Sequence, residues 1–230
     1  MFNKKLWKRK TMNNYKKLES GRSMIEMLGV LAIIGVLSVG GIAGYSKAMN
    51  KFKTNKVADN VSMIVTNIRT LYAQQSTYQG LTNKTAVQMG VVPNELYTAT
   101  PSDATTGLTN AFLGSVVIGS ATVSGMDGET AAAGATAGAN RGFFVTMNGL
   151  TREACVTLAT NDWGSEYSAG FVGLKIATNA QTAAPEGFTV ACTDHTADKW
   201  CSSQNAMQVS VAAEGCSATG NANSVTWVFY

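Results

Sequence analysis

Histidine is nearly absent from this chain: His195 stands alone, in the polar stretch Thr193-Asp194-His195-Thr196. With one imidazole and no nucleophile elbow, phosphate-binding glycine loop or metal-spaced ligand cluster, the common catalytic constellations are excluded. Neither an enzyme nor a cofactor is expected. No two of the 4 cysteines form a C-x-x-C pair, which argues against a zinc knuckle. Charged residues are scarce, at 14 % of the chain, where a soluble domain carries about 25 %. Proline is scarcer still, at 3 residues, and none falls between Arg22 and Val92. Nothing in that stretch forces a helix to break.

The body of the chain also lacks a positive surplus. Seven of the 18 basic residues (Lys4, Lys5, Lys8, Arg9, Lys10, Lys16 and Lys17) lie in residues 1–21, with Glu19 the one acid among them. That leaves 11 basic against 13 acidic residues in 22–230, so the basic balance belongs to the N-terminal segment. A nucleic-acid footprint needs a basic patch on the folded body, and no nucleic acid is expected as a partner.

What is present is an apolar run. Residues 27–45, MLGVLAIIGVLSVGGIAGY, hold 19 positions without a charge, within the range of a membrane-spanning helix. The basic cluster precedes it, which keeps the N-terminus cytoplasmic and sends the body outward. A secretory signal has the same order of regions, and Gly41-Ile42-Ala43 has the small-x-small form of a cleavage site. The basic region and the apolar run are both long for such a signal. Glu26 sits at the mouth of the run, where a carboxylate is unfavourable unless it is paired or reaches the interface. It either marks the interfacial end of the helix or pairs with a positive charge on another subunit. Gly29, Gly35, Gly40, Gly41 and Gly44 stud the run, and Gly40-x-x-x-Gly44 permits close helix approach.

The helical spacing continues past the run. Val57, Val61, Ile64, Val65, Ile68, Leu71 and Tyr72 share one face, while Lys53, Lys56, Asp59, Asn60, Asn67 and Arg69 occupy the other. One helix is expected from about Ser23 to about Gln79, with a first half that wants a membrane or a bundle interior and a second half that wants a globular domain. Downstream, Thr82 caps a short helix that ends at Gly90, and Thr151 caps another that runs to Thr160, with Glu153 near its positive end. Strands are expected at 115–123, 142–147, 171–177, 187–190, 207–212 and 224–230. Residues 119–140, mostly Gly, Ala, Ser and Thr, read as a mobile surface loop. Residues 98–140 and 161–206 are expected to supply the exposed surface. The fold class is α+β: a long N-terminal helix packed on a mainly antiparallel sheet.

Gly21-Arg22-Ser23-Met24-Ile25-Glu26, followed by the apolar run, resembles the type IV prepilin signature, and the long leader resembles the type IVb subclass. Leu71-Tyr72 with Ser76-Thr77-Tyr78-Gln79-Gly80-Leu81, the segment from Leu150 to Thr160, and the final Val225-Thr226-Trp227-Val228-Phe229-Tyr230 are similar to bundlin-type members of that family. Gly149 to Cys155 is similar to a segment of toxin-coregulated-type members. The resemblance implies a type IV pilin fold and three parts: a leader, 1–21, removed by a prepilin peptidase after Gly21; a membrane and filament-core helix, 22–50; and a globular body, 51–230. It implies N-methylation at Arg22, and for Glu26 a charge pairing with a neighbour's N-terminal amine during assembly. Arg22 departs from the large apolar residue usual at the first mature position. The implied function is that of a structural subunit, the major pilin, of a surface filament serving adhesion, aggregation or mating. Its partners would be other pilin subunits, the peptidase, the assembly machinery and the inner membrane before assembly. A minor pilin or secretion pseudopilin carries the same signature. A plain single-span membrane protein with a periplasmic binding domain is the alternative from another class.

An even cysteine count in an exported domain favours disulfides. Three pairings are open to four cysteines. Type IVb pilins staple their C-terminal region to the helix bearing the first cysteine, which implies Cys155 with Cys216 and leaves Cys192 with Cys201.

Overall fold

The computed structural model describes residues 20–124, 139–164, 170–189, 195–196, 198–201 and 206–230. Its elements run in the order α1 (Ser20–Tyr72), α2 (Asn83–Gln88), a 3-10 turn (Asn94–Leu96), β1 (Val116–Ala121), β2 (Val123–Ser124), β3 (Gly142–Leu150), α3 (Arg152–Thr160), β4 (Phe171–Ala177), β5 (Phe188–Thr189), α4 (Val209–Gly215) and β6 (Asn223–Phe229). The chain divides into two compact units, residues 1–49 and 50–230.

In the second unit, β1, β3, β6 and β4 form a four-stranded sheet in that order, antiparallel throughout. β2 and β5 form a small parallel pair. β3 and β6 are central, and every residue of β6 is buried. One core cluster joins Val57, Val61, Ile64, Val65, Ile68 and Tyr72 of α1 to Phe143, Val145, Met147, Val225, Trp227 and Phe229 of the two central strands. A second cluster, with Val117, Phe144, Val172, Phe188 and Val228, covers the other face. Alternate residues of one strand thus enter different clusters, as the two-residue period of a pleated strand requires. Removing Ile64, which is fully buried, down to Ala would cost about 2–5 kcal/mol.

Several expectations hold. Thr82 accepts from the Thr85 N–H, and the Thr85 hydroxyl accepts from the Thr82 N–H, a complete capping box for α2. Gly90 follows that helix with φ +71°, a left-handed conformation that glycine adopts without a Cβ penalty. Thr151 caps α3 through the Ala154 N–H.

Others are corrected. α1 ends at Tyr72, not at Gln79. The Gln75 N–H closes a tight turn on the Tyr72 carbonyl at 2.8 Å. Tyr78 then folds back, its ring 5.1 Å from Tyr72 and 4.8 Å from Phe143, and its N–H donates to the Asn140 carbonyl. Residues 73–76, Ala-Gln-Gln-Ser, offer no apolar face that would reward another helical turn. Leu71 is exposed and Asn60 is buried, the reverse of the faces assigned to them. Residues 207–212 are not a strand, because α4 starts at Val209. Val209 is exposed, while Ala212, Gly215 and Cys216 are buried at helical spacing. The 98–140 stretch is not all surface, since Leu108, Phe112, Val116, Val117 and Ile118 are core. In the 161–206 stretch, Phe171, Val172, Leu174, Ile176, Phe188 and Trp200 are buried too. Positions 125–138 of the expected loop lie outside the described residues, and Gly119 to Ala121 belong to β1.

Candidate functional site

The first unit carries the apolar run on α1. Its large side chains are open to the surroundings: Met24, Ile25, Leu31, Ile33, Leu37, Val39 and Ile42 are all exposed, and Val36 reaches 76 %. The segment from Met24 along α1 is long and apolar enough to cross a membrane. A soluble monomer does not leave such a surface bare, so the segment requires lipid or other helices around it. Its polar groups are already provided for. The Ser38 hydroxyl donates to the Ile34 carbonyl at 2.7 Å, and the Ser46 hydroxyl donates to the Ile42 carbonyl at 3.0 Å. Both are bonds to the preceding turn, so neither hydroxyl needs water. Around Gly40 and Gly44, apart from the adjacent residues and the backbone of their own helix turns, no described atom comes within 4 Å of where a Cβ would stand. Among the described residues, no packing contact demands glycine at either place.

Glu26 is exposed on α1, ahead of this run, and among the described residues none pairs with it. Gly21 and Arg22 are backbone positions in the first turns of the same helix. Residues 1–19 lie outside the described residues. A carboxylate at the end of an uncovered apolar segment is costly wherever water is excluded from it, unless a cation stands beside it there.

In the second unit, the C-terminal third is held by a covalent staple. Cys155 on α3 is bonded to Cys216, directly after α4, with the Cα atoms 5.9 Å apart and both residues fully buried. α3 in turn packs on β6 and β4. Gly215 faces Ile176 of β4, where an added Cβ would stand 3.2 Å from the isoleucine side chain. Arg152 Nη2 donates to the Ala213 carbonyl at 3.3 Å, a second tie between the two helices. Asn223, also fully buried, continues the staple into the sheet. Its Nδ2 donates to the Leu150 and Ala218 carbonyls at 3.3 Å each, and its Oδ1 accepts from the Ala218 N–H at 3.0 Å. The loop between Cys216 and β6 is thereby fixed at the end of β3. Cys201 is fully buried and disulfide-bonded. Cys192, the partner expected for it, lies outside the described residues.

An open cleft of about 490 Å³ lies beside the turn before β1, lined by Phe112, Leu113, Asn148, Thr178, Asn179 and Asn221 among others. Its lining carries no acid, base or charge. The Asn148 amide is engaged by Ser115 and Gln181. His195 is not among the residues that line it, and its ring lies 5.2 Å from Trp200. Among the described residues no group of three His, Cys, Asp or Glu side chains could hold a metal ion. Residues that sequence reasoning missed are the buried amides. Asn83, Asn148 and Asn223 bind partners across the fold, and only the placement of several elements at once reveals them.

Comparison with known proteins points one way. The profile of the family described as Bundlin matches residues 46–229. The major structural subunit of bundle-forming pilus from Escherichia coli O111:H- is 28 % identical over 218 residues, covering 95 % of this chain and 97 % of that protein. The subunit of the same description from Escherichia coli O127:H6 (strain E2348/69 / EPEC) matches over the same shares, also at 28 % identity. Among solved structures, a type IV b pilin from Salmonella typhi is similar at a TM-score of 0.46 with 19 % identity, covering 74 % of this chain and 94 % of that one. TcpA, a type IV pilin from Vibrio cholerae El Tor biotype, is similar at a TM-score of 0.46 with 18 % identity, covering 77 % of this chain and 99 % of that one.

Proposed function

The chain belongs to the bundlin family, and on that premise we propose that it is the major structural subunit of a type IVb pilus, a protein that polymerises with other copies of itself. The observation that carries this reading is the bare apolar segment of α1 with Glu26 at its mouth, where no described residue pairs with it. Such a segment has two apolar environments available to it, a bilayer and a bundle of like helices.

On this reading the subunit first resides in the inner membrane as a single-pass protein. Residues 1–21 face the cytoplasm and the body faces the periplasm, as the distribution of lysine and arginine favours. A prepilin peptidase cuts between Gly21 and Arg22, and the new amine of Arg22 is methylated. The assembly machinery then moves the segment of α1 from lipid into the filament. There, Glu26 meets the N-terminal amine of a neighbour. In an apolar surround that pair is strong only if both partners are present, so it selects one axial register over others. The disulfide-stapled body supplies the filament surface.

The test is the intact mass and N-terminal sequence of subunits sheared from the surface of expressing cells. A chain starting at Arg22, carrying one methyl group and the mass deficit of its disulfides, is the expected result. A chain starting at Gly44 would point to ordinary signal cleavage. A full-length chain found only in membranes would point to a single-span anchor, and either of these two outcomes ends the pilus reading.

A further inference from the structure

Leu113 is held in a backbone conformation that leucine disfavours, with its side chain in the open. Its φ is +65°, in the left-handed region that a Cβ makes unfavourable. It is 86 % exposed, more than any other large apolar residue described, those of the apolar run included. The loop that imposes this is tightly bonded. The buried Asn110 side chain accepts from the Phe112 N–H at 2.9 Å and from the Gly114 N–H at 3.2 Å, and its Nδ2 donates to the Asn148 carbonyl at 2.7 Å. The Leu113 N–H donates to the Asn110 carbonyl, and the Asn110 N–H to the Gly114 carbonyl, both at 2.9 Å. A Cβ on Gly114 would overlap the Asn148 carbonyl oxygen, so the loop lies flat on the end of β3. Glycine or asparagine at position 113 would make the same turn with less strain. Strain that folding does not need points to a use outside the subunit.

The loop sits at the start of the second unit. Phe112, next to Leu113, carries the Lys53 ammonium over its ring, 5.8 Å from the centroid. Beside Lys53, Lys51 and Phe52 are exposed, Phe52 to 59 %. No described acid pairs with Lys51. The sequence adds a charge anomaly here: residues 46–58 hold Lys47, Lys51, Lys53 and Lys56 and no acid. Lysines on this side of a membrane-crossing segment oppose the orientation that residues 1–21 favour. Topology therefore does not account for them, and of the four only Lys56 has an ion-pair partner among the described residues, Glu95. Lys53 is eight positions past Tyr45, the last residue of the apolar run. Whatever path the chain takes, that is a reach of at most about 29 Å.

We propose that Lys51, Phe52 and Leu113 form a seat by which the body rests on a membrane surface, and that the ligand is anionic phospholipid in the outward leaflet of the bilayer that the apolar run crosses. The inference rests on the membrane-resident stage proposed above. Lysine beside exposed aromatic and aliphatic side chains is the composition of a lipid interface: the ammonium meets phosphate, and the apolar groups enter the acyl boundary. A second copy is a poorer occupant, because a two-fold contact of this face with itself sets lysine against lysine. The apolar run alone tethers the body and leaves it free to swing. The seat fixes the height and angle at which the body waits, and it lets go when the run leaves lipid.

The test uses the full chain, one copy per lipid nanodisc, in phosphatidylcholine alone and in phosphatidylcholine mixed with phosphatidylglycerol. A lipid carrying a gadolinium chelate on its headgroup serves as the probe, and its relaxation enhancement is read at the Gly114 amide, with Val145 and Trp227 as references inside the sheet. In the mixed discs the enhancement at Gly114 is expected to be at least ~2-fold that in phosphatidylcholine alone. Leu113→Asn and Lys51→Gln, each made singly, should return it to the phosphatidylcholine level. Asparagine accepts the left-handed conformation, so Leu113→Asn keeps the turn, and unchanged Val145 and Trp227 shifts check that it does. If those shifts move, Lys51→Gln decides by the same criterion. An enhancement that is the same in both lipids, or the same in wild type and variants, overturns the seat while leaving the membrane-resident stage standing. An effect seen only in discs holding two copies also overturns it, and assigns the face to a second subunit. A chain that fails to co-elute with the discs overturns the membrane-resident stage and the seat together.

Discussion

Lys56 Nζ lies 2.8 Å from Glu95 Oε2, so an ion pair joins α1 to the 3-10 turn that follows α2. The Lys56 hydrogen bond holds the Glu95 carboxyl below its ordinary value of 4.5, with Asn60 adding a smaller contribution in the same direction. A carboxyl with a depressed folded value stabilises the fold above its unfolded value, and that contribution disappears as pH falls through the folded value. The pair is partly open to solvent, with side chains 38 % and 42 % exposed, so its contribution is at most about 1 kcal/mol. Urea midpoints of the wild type should therefore fall towards those of Glu95→Gln once the pH drops below 4.5. A constant gap between the two proteins down to full acid would contradict this.

Tyr78 supplies the opposite limb. Burial pushes its hydroxyl above the ordinary 10.0, and the nearby Arg69 partly opposes that. An acid whose folded value is raised stabilises the fold fully below its unfolded value, and the contribution is lost as pH rises through the folded value. Thermal midpoints should drop above pH 10.0 in the wild type, and the drop should be smaller in Tyr78→Phe. Identical alkaline profiles would show that Tyr78 stays protonated in both states or is not buried in solution.

Replacing Cys155 and Cys216 together by Ser should lower stability by about 4 kcal/mol, the chain-entropy value for cross-linking a loop with a sequence separation of 61. Because the cross-link acts on the unfolded chain, the loss should reach every amide that exchanges through global unfolding, those of β3 and β6 included. Residue-resolved hydrogen exchange checks this: a loss confined to α3, α4 and the loop into β6 would contradict the chain-entropy account.

Asn83→Ala removes both partners of an edge strand at once. The Ile118 N–H and the Val116 carbonyl lose their bonds in a fully buried site, which should cost about 1–3 kcal/mol. Asn83→Asp keeps the acceptor for Ile118 but not the donor for Val116, and should be worse than its size suggests, since it buries a charge without a cation. Denaturant midpoints for the two variants test the order.

Glu26→Ala should leave membrane insertion and the fold of the body unchanged, and should sharply lower incorporation into filaments. Glu26 touches nothing in its own subunit among the described residues. A variant that assembles at the wild-type rate would remove the proposed pairing.

Much of this fold was legible because its signals are local. The buried face of α1 from Val57 to Tyr72, apart from Leu71, follows from spacing alone, and the starts of α2 and α3 follow from Thr82 and Thr151. The end of α1 was not legible, because Tyr78 leaves the helix for Tyr72 and Phe143, and Phe143 lies far along the chain. α4 was misread for a similar reason. Met207, Val209 and Val211 alternate like a strand, yet the bond from Cys216 to Cys155 and the seat of Gly215 on Ile176 fix a helical spacing. Glu26 stood out because a charge beside 19 uncharged positions is visible in any reading of the chain. Asn83 and Trp200 did not, since a polar side chain or a loop residue at a sheet edge has no sequence mark until the edge itself is located.

The two serines of the apolar segment have a consequence for travel. With Ser38 and Ser46 folded back onto their own helix, that stretch presents the same greasy exterior to whatever surrounds it. Passing from fatty acyl chains to the flanks of sister helices then strips water from neither hydroxyl, and the two media are nearly interchangeable solvents for it. Glu26 is the exception: on the proposed route from lipid into a filament, its carboxylate is the group of this segment whose surroundings change.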